Sequence, residues 1–298
     1  MNQALIDIQN ITKYYNKRIT LNDLSFTVHK GEICGLVGEN GAGKTTLIRI
    51  IAGLIKSDGG VIDKSKIKNL SCIIESPAFY PNLSAYDNLK YHMLRLGFPK
   101  SNKKIDEILN LVGLKSVERN KKVKNFSLGM KQRLAIGLSI IDSPQLLILD
   151  EPINGLDPVG IKEMRELLLN LKKNYNMTIL ISSHILSELE LVVDRYIILH
   201  KGKIIQNITK ASIQRYLSSK IILEVDNVDD CYRLLNKNNY SCRIVSNRIE
   251  IYSSTDSINN IVQGIIEENL VIYGIYSRKT SFEEYYMALL QERKLMNV

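Results

Sequence analysis

Residues 38–46 read Gly-Glu-Asn-Gly-Ala-Gly-Lys-Thr-Thr, the spacing G-x-x-x-x-G-K-T. Gly38, Gly41 and Gly43, with Asn40 and Ala42 between them, allow backbone N–H groups to curl around phosphate oxygens. Lys44 then supplies a cation for the β and γ phosphates, Thr45 a hydroxyl for Mg²⁺, and Thr46 the first turn of a helix whose dipole favours an anion. A second group follows at residues 145–152, Gln-Leu-Leu-Ile-Leu-Asp-Glu-Pro, an apolar run that ends in two carboxylates. Beside a phosphate loop, Asp150 is placed to hold the Mg²⁺ shell and Glu151 to orient and deprotonate an attacking water. The third group is His184, directly after the apolar run 177–183, where an imidazole can hydrogen-bond a γ-phosphate. Taken singly, the acid pair has a turn as its lesser reading, and the histidine is more often a surface residue. Their order behind the loop points to phosphoryl chemistry.

The elements needed to position these groups are legible. Residues 32–37 form an apolar strand before the loop and residues 47–52 a helix after it, the context a phosphate loop requires. Residues 145–150 and 177–183 read as buried strands. Pro158, with Ile161, Met164, Leu167, Leu168 and Leu171 at helical spacing, marks a helix between them. A length of 298 residues allows about two domains. With 45% hydrophobic and 24% charged residues, the composition excludes disordered and low-complexity classes. No apolar stretch reaches the ~20 residues of a membrane span. The N-terminal segment lacks the basic and apolar regions of a secretory signal, so a cytoplasmic location is expected. Cys34, Cys72, Cys231 and Cys242 form no CxxC pair and suit buried reduced thiols better than a disulfide or zinc site. The net charge of +9 suits nucleic acid, anionic lipid or a phosphorylated ligand, and does not choose among them.

With these motifs in this order, residues 5–206 resemble the ATP-binding subunit of ABC transporters. The resemblance implies an α/β P-loop NTPase core with a helical subdomain at about 81–142, and ATP and Mg²⁺ as ligand and cofactor. Residues 125–134, Asn-Phe-Ser-Leu-Gly-Met-Lys-Gln-Arg-Leu, look like the family signature, usually L-S-G-G-Q. Ser127, Gly129 and Met130 would then face the ATP of an opposite subunit, with Leu128 standing for the first glycine and Met130 for glutamine. Tyr15 falls where the family keeps an aromatic that stacks on adenine, with Tyr14 as the alternative. Glu75 stands where glutamine usually reaches Mg²⁺ and the water. As a carboxylate it can ligate the metal but cannot donate as an amide does. Asp157, in Asn-Gly-Leu-Asp-Pro at 154–158, resembles the acid through which each subunit senses its partner, and Ile153 replaces a usual threonine. Glu75 and the Ser-Leu-Gly-Met signature together resemble the ATPases of bacitracin-resistance and lantibiotic self-immunity exporters.

The implied protein works with a membrane permease in trans and a second ATPase subunit, peripheral on the inner face of the membrane, and carries no covalent cofactor. The competing class is a soluble ABC-type ATPase acting on nucleic acid or ribosomes, which the basic charge brings up. Neither the coiled coil of such repair proteins nor the tandem ATPase units of the translation factors is present, so no nucleic-acid partner is expected. A non-hydrolysing nucleotide sensor is disfavoured by the joint presence of Asp150, Glu151 and His184. The ATPase domain is expected over residues 1–215. Beyond it, residues 216–298 alternate strand, helix, two strands, helix, strand and a last helix, which suggests a small ferredoxin-like α+β domain for dimerisation or regulation.

Overall fold

Five consecutive buried residues make β3 (Ile33–Val37) an inner strand of a six-stranded sheet. The computed structural model describes residues 3–75, 79–217, 219–252 and 257–296. In that sheet β3 lies between β7 (Thr178–Ser183) and β8 (Arg195–His200), with β6 (Leu146–Asp150) and β5 (Leu70–Ile73) beyond β7 and β9 (Lys203–Thr209) beyond β8. All pairs are parallel except the β8/β9 hairpin. β6 and β7 are buried along their whole length, as expected of parallel strands covered on both faces. Each aliphatic side chain so buried contributes about 1.5–3 kcal/mol, enough to hold a strand whose last residue is an acid.

A second, antiparallel sheet has the order β2 (Arg18–His29), β1 (Ala4–Tyr15), β4 (Gly59–Asp63). It shares one apolar core with the larger sheet and with α1 (Lys44–Ile51): Ile8, Leu24 and Phe26 pack in the same cluster as Leu36, Ile48, Ile148 and Leu180. The helical segment comprises α2 (Ala85–Arg95), α3 (Asn102–Leu111) and α4 (Leu128–Ser139), which pack on one another. Each begins at a serine whose hydroxyl accepts from the third residue on: Ser84 from Asp87, Ser101 from Lys104 and Ser127 from Met130. Beyond it, α5 (Pro158–Tyr175) carries proline in its first turn and α6 (Leu186–Val192) follows β7.

The chain divides into two compact units at Lys210/Ala211, inside α7 (Lys210–Tyr216). The second unit contains β10 (Ser219–Val225), α8 (Val228–Lys237), β11 (Cys242–Val245), β12 (Arg248–Ile251), α9 (Ile258–Glu267), β13 (Ile272–Lys279) and α10 (Phe282–Met296). Its strand order is β11-β12-β10-β13 with every pair antiparallel, the ferredoxin-like arrangement that the element order suggests. Ile221 and Leu223 of β10, Ile249 and Ile251 of β12, Cys231 and Leu235 of α8 and Ile261 and Ile265 of α9 form its core. All four cysteines are free thiols, and burial pushes Cys34 up to about 12 and Cys231 up to about 11.

Candidate functional site

Strand register brings the chemical residues together. β6 and β7 pair with Asp150 opposite Ser182, and β3 and β7 with Val37 opposite Ser183. The loop after β3, the acid pair at the end of β6 and His184 after β7 therefore share the carboxyl edge of one parallel sheet, where open α/β sheets bind ligands. The loop is shaped by Gly41 at φ +82° and Gly43 at φ +107°. A β-carbon on Gly43 would lie 2.5 Å from Leu21 Cδ2 in β2, so the turn requires glycine for backbone and space alike. The loop is also braced from behind: a β-carbon on Gly38 would lie 2.6 Å from the Leu199 carbonyl oxygen of β8. Gly202, in the turn after β8, donates its N–H to Ala42 O at 3.1 Å and accepts from Asn22 N at 2.8 Å.

Lys44 is buried, at 6% exposure, and its ammonium donates to Gly38 O at 2.7 Å and to Glu39 O at 3.3 Å. The same Nζ stands 3.5 Å from Glu151 Oε1. Thr45 Oγ1 donates to Asp150 Oδ2 at 2.9 Å, and Ser182 Oγ donates to Asp150 Oδ1 at 2.5 Å. Both oxygens of this buried carboxylate are thus satisfied, which offsets the cost of taking it out of water. Glu151 has φ +50°, and its N–H reaches Ser182 at both Oγ (3.0 Å) and O (3.2 Å). Its Oε2 lies 2.7 Å from His184 Nδ1. Since a carboxylate only accepts, Nδ1 carries the proton in this contact, and Nε2 donates only when the ring is imidazolium.

Thr45 and Asp150 are oxygen donors that fit a hard dication with few protein ligands. Among the described residues no group of three or more His, Cys, Asp or Glu could hold a metal alone. Glu75, grouped with them for Mg²⁺ from sequence, has φ +61° and a side chain 66% exposed. It lies two residues past Ile73, on the same sheet edge, and its carboxylate pairs with Arg49 of α1 rather than with Thr45 or Asp150. Tyr15 ends β1, half-exposed, with Lys13 Nζ 5.7 Å from its ring centre. Tyr14 is exposed as well, and its N–H is held by Asp58 at 2.6 Å. Asn40 and Gly41 are exposed and Ala42 is buried. Ser127, Gly129 and Met130 form the first turn of α4, with Ser127 Oγ accepting from Met130 N at 3.3 Å. Asp157 caps α5, its Oδ1 accepting from Gly160 N at 3.1 Å. Ile153 is buried, at 5% exposure. Sequence reasoning missed Ser182 and Arg49. Each acts through a partner on another element, and the polar Ser182-Ser183 pair ending an apolar strand was the one available hint.

Strand, phosphate loop, helix and an acid-tipped strand one place removed in the same parallel sheet define a P-loop NTPase. The chain belongs to the ABC transporter family as an ATP-binding protein: the family described as ABC transporter matches over residues 21–154, and full-length relatives align throughout. The bacitracin transport ATP-binding protein BcrA of Bacillus licheniformis is 38% identical over 96% of this chain and 97% of the relative. The lantibiotic transport ATP-binding protein SrtF of Streptococcus pyogenes is 47% identical over 67% of this chain and 89% of its own length. A solved ATP-binding subunit of an ABC transporter superposes with TM-score 0.62 at 30% identity, covering 71% of this chain and 92% of the other. An ATP-binding cassette in its ADP conformation gives TM-score 0.65 at 23% identity over 72% and 94%, a likeness of fold.

The chain is an ATP-hydrolysing subunit of an ABC transporter, a class that binds ATP, dimerises and works with a membrane permease. These relatives favour that reading over action on nucleic acid or ribosomes. No helix among the described residues is long and apolar enough to cross a membrane.

Proposed function

We propose that this subunit powers export of peptide antibiotics of the bacitracin or lantibiotic kind, in resistance or self-immunity, from the inner face of the membrane. Two bacitracin-transport relatives align with both units of the chain, covering 96% and 97% of it, and these alignments support the substrate class. Mg²⁺, held by Thr45 and Asp150, would supply charge neutralisation at the phosphates. Lys44 binds and orients the β and γ phosphates, and Tyr15 offers a ring for adenine. Glu151 takes the proton of the attacking water, held by Lys44 on one oxygen and His184 on the other. That pair of contacts on Glu151 is the observation that carries the mechanism. The signature residues Ser127, Gly129 and Met130, and Asp157, would face the second subunit. Residues 1–215 serve as the ATPase domain and residues 216–298 as an accessory dimerisation domain.

The permease has a fitting place to dock. Cavities of about 270 and 340 Å³ share His92, Arg95 and Leu138, and form a groove lined by α2, α4 and β5. Tyr80 and Tyr91 add an aromatic wall, ring centres 4.7 Å apart. Glu151→Gln is expected to lower ATP turnover about 10²-fold or more while leaving ATP binding intact. Expressed in the native host, the same variant is expected to bring down a polytopic membrane protein in mild detergent with ATP and Mg²⁺, and Arg95→Glu to lose it. Unchanged hydrolysis would remove Glu151 as the base. Ribosomes or nucleic acid in place of a membrane protein would remove the exporter reading.

A further inference from the structure

The turn that opens α4 and the loop before α5 meet through two dipeptides of opposite order, Leu128-Gly129 and Gly155-Leu156. Leu128 Cδ2 lies 3.2 Å from the point where a β-carbon on Gly155 would stand, and Leu156 Cδ2 lies 3.7 Å from the same point on Gly129. Leu128 crowds the space that Gly155 leaves open, while Leu156 stands at ordinary van der Waals distance beside Gly129. Gly155 sits at φ +75°, so both its backbone and its surroundings call for glycine. Leu128 nonetheless remains 47% exposed, more than core burial alone would leave. Ser127 and Asp157, immediately outside the two dipeptides, cap helices of 12 and 18 residues, and an Arg133–Glu163 ion pair at 3.2 Å ties α4 to α5 further along.

We propose that Leu128 is a positioning residue for hydrolysis. By packing against Gly155, with Leu156 packing against Gly129 in return, it makes the signature turn and the loop carrying Asp157 a single rigid piece, presented together to the second subunit. Two loose segments would each lose freedom on docking, whereas a locked pair has lost it on folding. A glycine at 128 has no side chain with which to make this lock. The inference rests on the reading of the chain as a dimeric ATPase and names a device within it.

The test uses the full chain with ATP and Mg²⁺, comparing Leu128→Ala, Leu128→Met, Leu156→Ala and the double alanine variant. Alanine is chosen over glycine because it keeps the helix start. Leu128→Ala is expected to lower turnover at saturating ATP about tenfold with KM within about twofold. The Leu156 and Gly160 amides should exchange hydrogen faster, with those of residues 38–46 unchanged. Leu128→Met, which reaches the same space, should restore at least about half of the turnover. The double variant should be no worse than the worse single one, since either substitution already frees the same junction between the two segments. Turnover undiminished in Leu128→Ala, beside an inactive Glu151→Gln control, would overturn the proposal alone, and so would losses that multiply. Wild-type chain without turnover would overturn the ATPase reading and the proposal with it, whereas an active Glu151→Gln would remove only Glu151 as the base and leave the Leu128 comparison to be read against wild type. Leu156→Ala gives the same decision should Leu128→Ala fail to fold.

Discussion

Lys44, Thr45, Asp150, Glu151 and His184 could be picked out in the sequence because each follows an apolar run that fixes its place on a sheet edge. Ser182 and Arg49 could not, because their partners are set by which strand or helix lies alongside, and strand order is not written locally. Ser182 satisfies Asp150 and the Glu151 amide at once, so the acid pair is held by a residue that nothing in its own neighbourhood announces. A pH effect belongs to this scale, in the second unit. Burial tends to raise Glu250, but hydrogen bonds from Arg243 (2.9 Å) and Lys220 (3.1 Å), with their charges, hold it below its usual 4.5 on balance. A lowered carboxyl contributes stability that is complete above the unfolded value and lost as pH falls through the folded one. The second unit should therefore loosen as pH drops below about 4.5. Glu250→Gln should flatten that dependence when amide exchange in β10 and β12 is followed against pH.

The helix cap and the functional role compete for the same side chain at Asp157. Its carboxylate closes the first turn of α5 in this conformation. Asp157→Ala should cost about 1 kcal/mol of stability, read from denaturant unfolding, and Asp157→Asn, which can still cap, should cost much less. A loss of dimer function in the asparagine variant without loss of stability would separate sensing from capping. The ferredoxin-like unit was legible because its elements alternate in a pattern with few foldings. The β2-β1-β4 sheet was not read beforehand, since strands with one wet face leave a weaker apolar signal than the continuous runs of β3, β6 and β7.

Across the whole molecule the chemistry belongs to the first unit. ATP with Mg²⁺ binds only the folded form of that unit, so it should slow amide exchange in β3, α1 and β6 by the factor that ligand concentration dictates. Exchange in β10 to β13 should be unaffected, and equal protection there would assign a ligand contact to the second unit. The bracing behind the phosphate loop carries a different lesson. The nine residues 38–46 look like a portable cassette, but Gly202, 160 residues from Ala42, holds that loop by a backbone bond while Leu199 closes the space behind Gly38. Grafted elsewhere with its sequence intact, the loop would arrive without its backing. Wear in a distant hairpin would surface as poor grip on phosphate, so the hairpin is the loop's anvil although it contributes no letter to the motif.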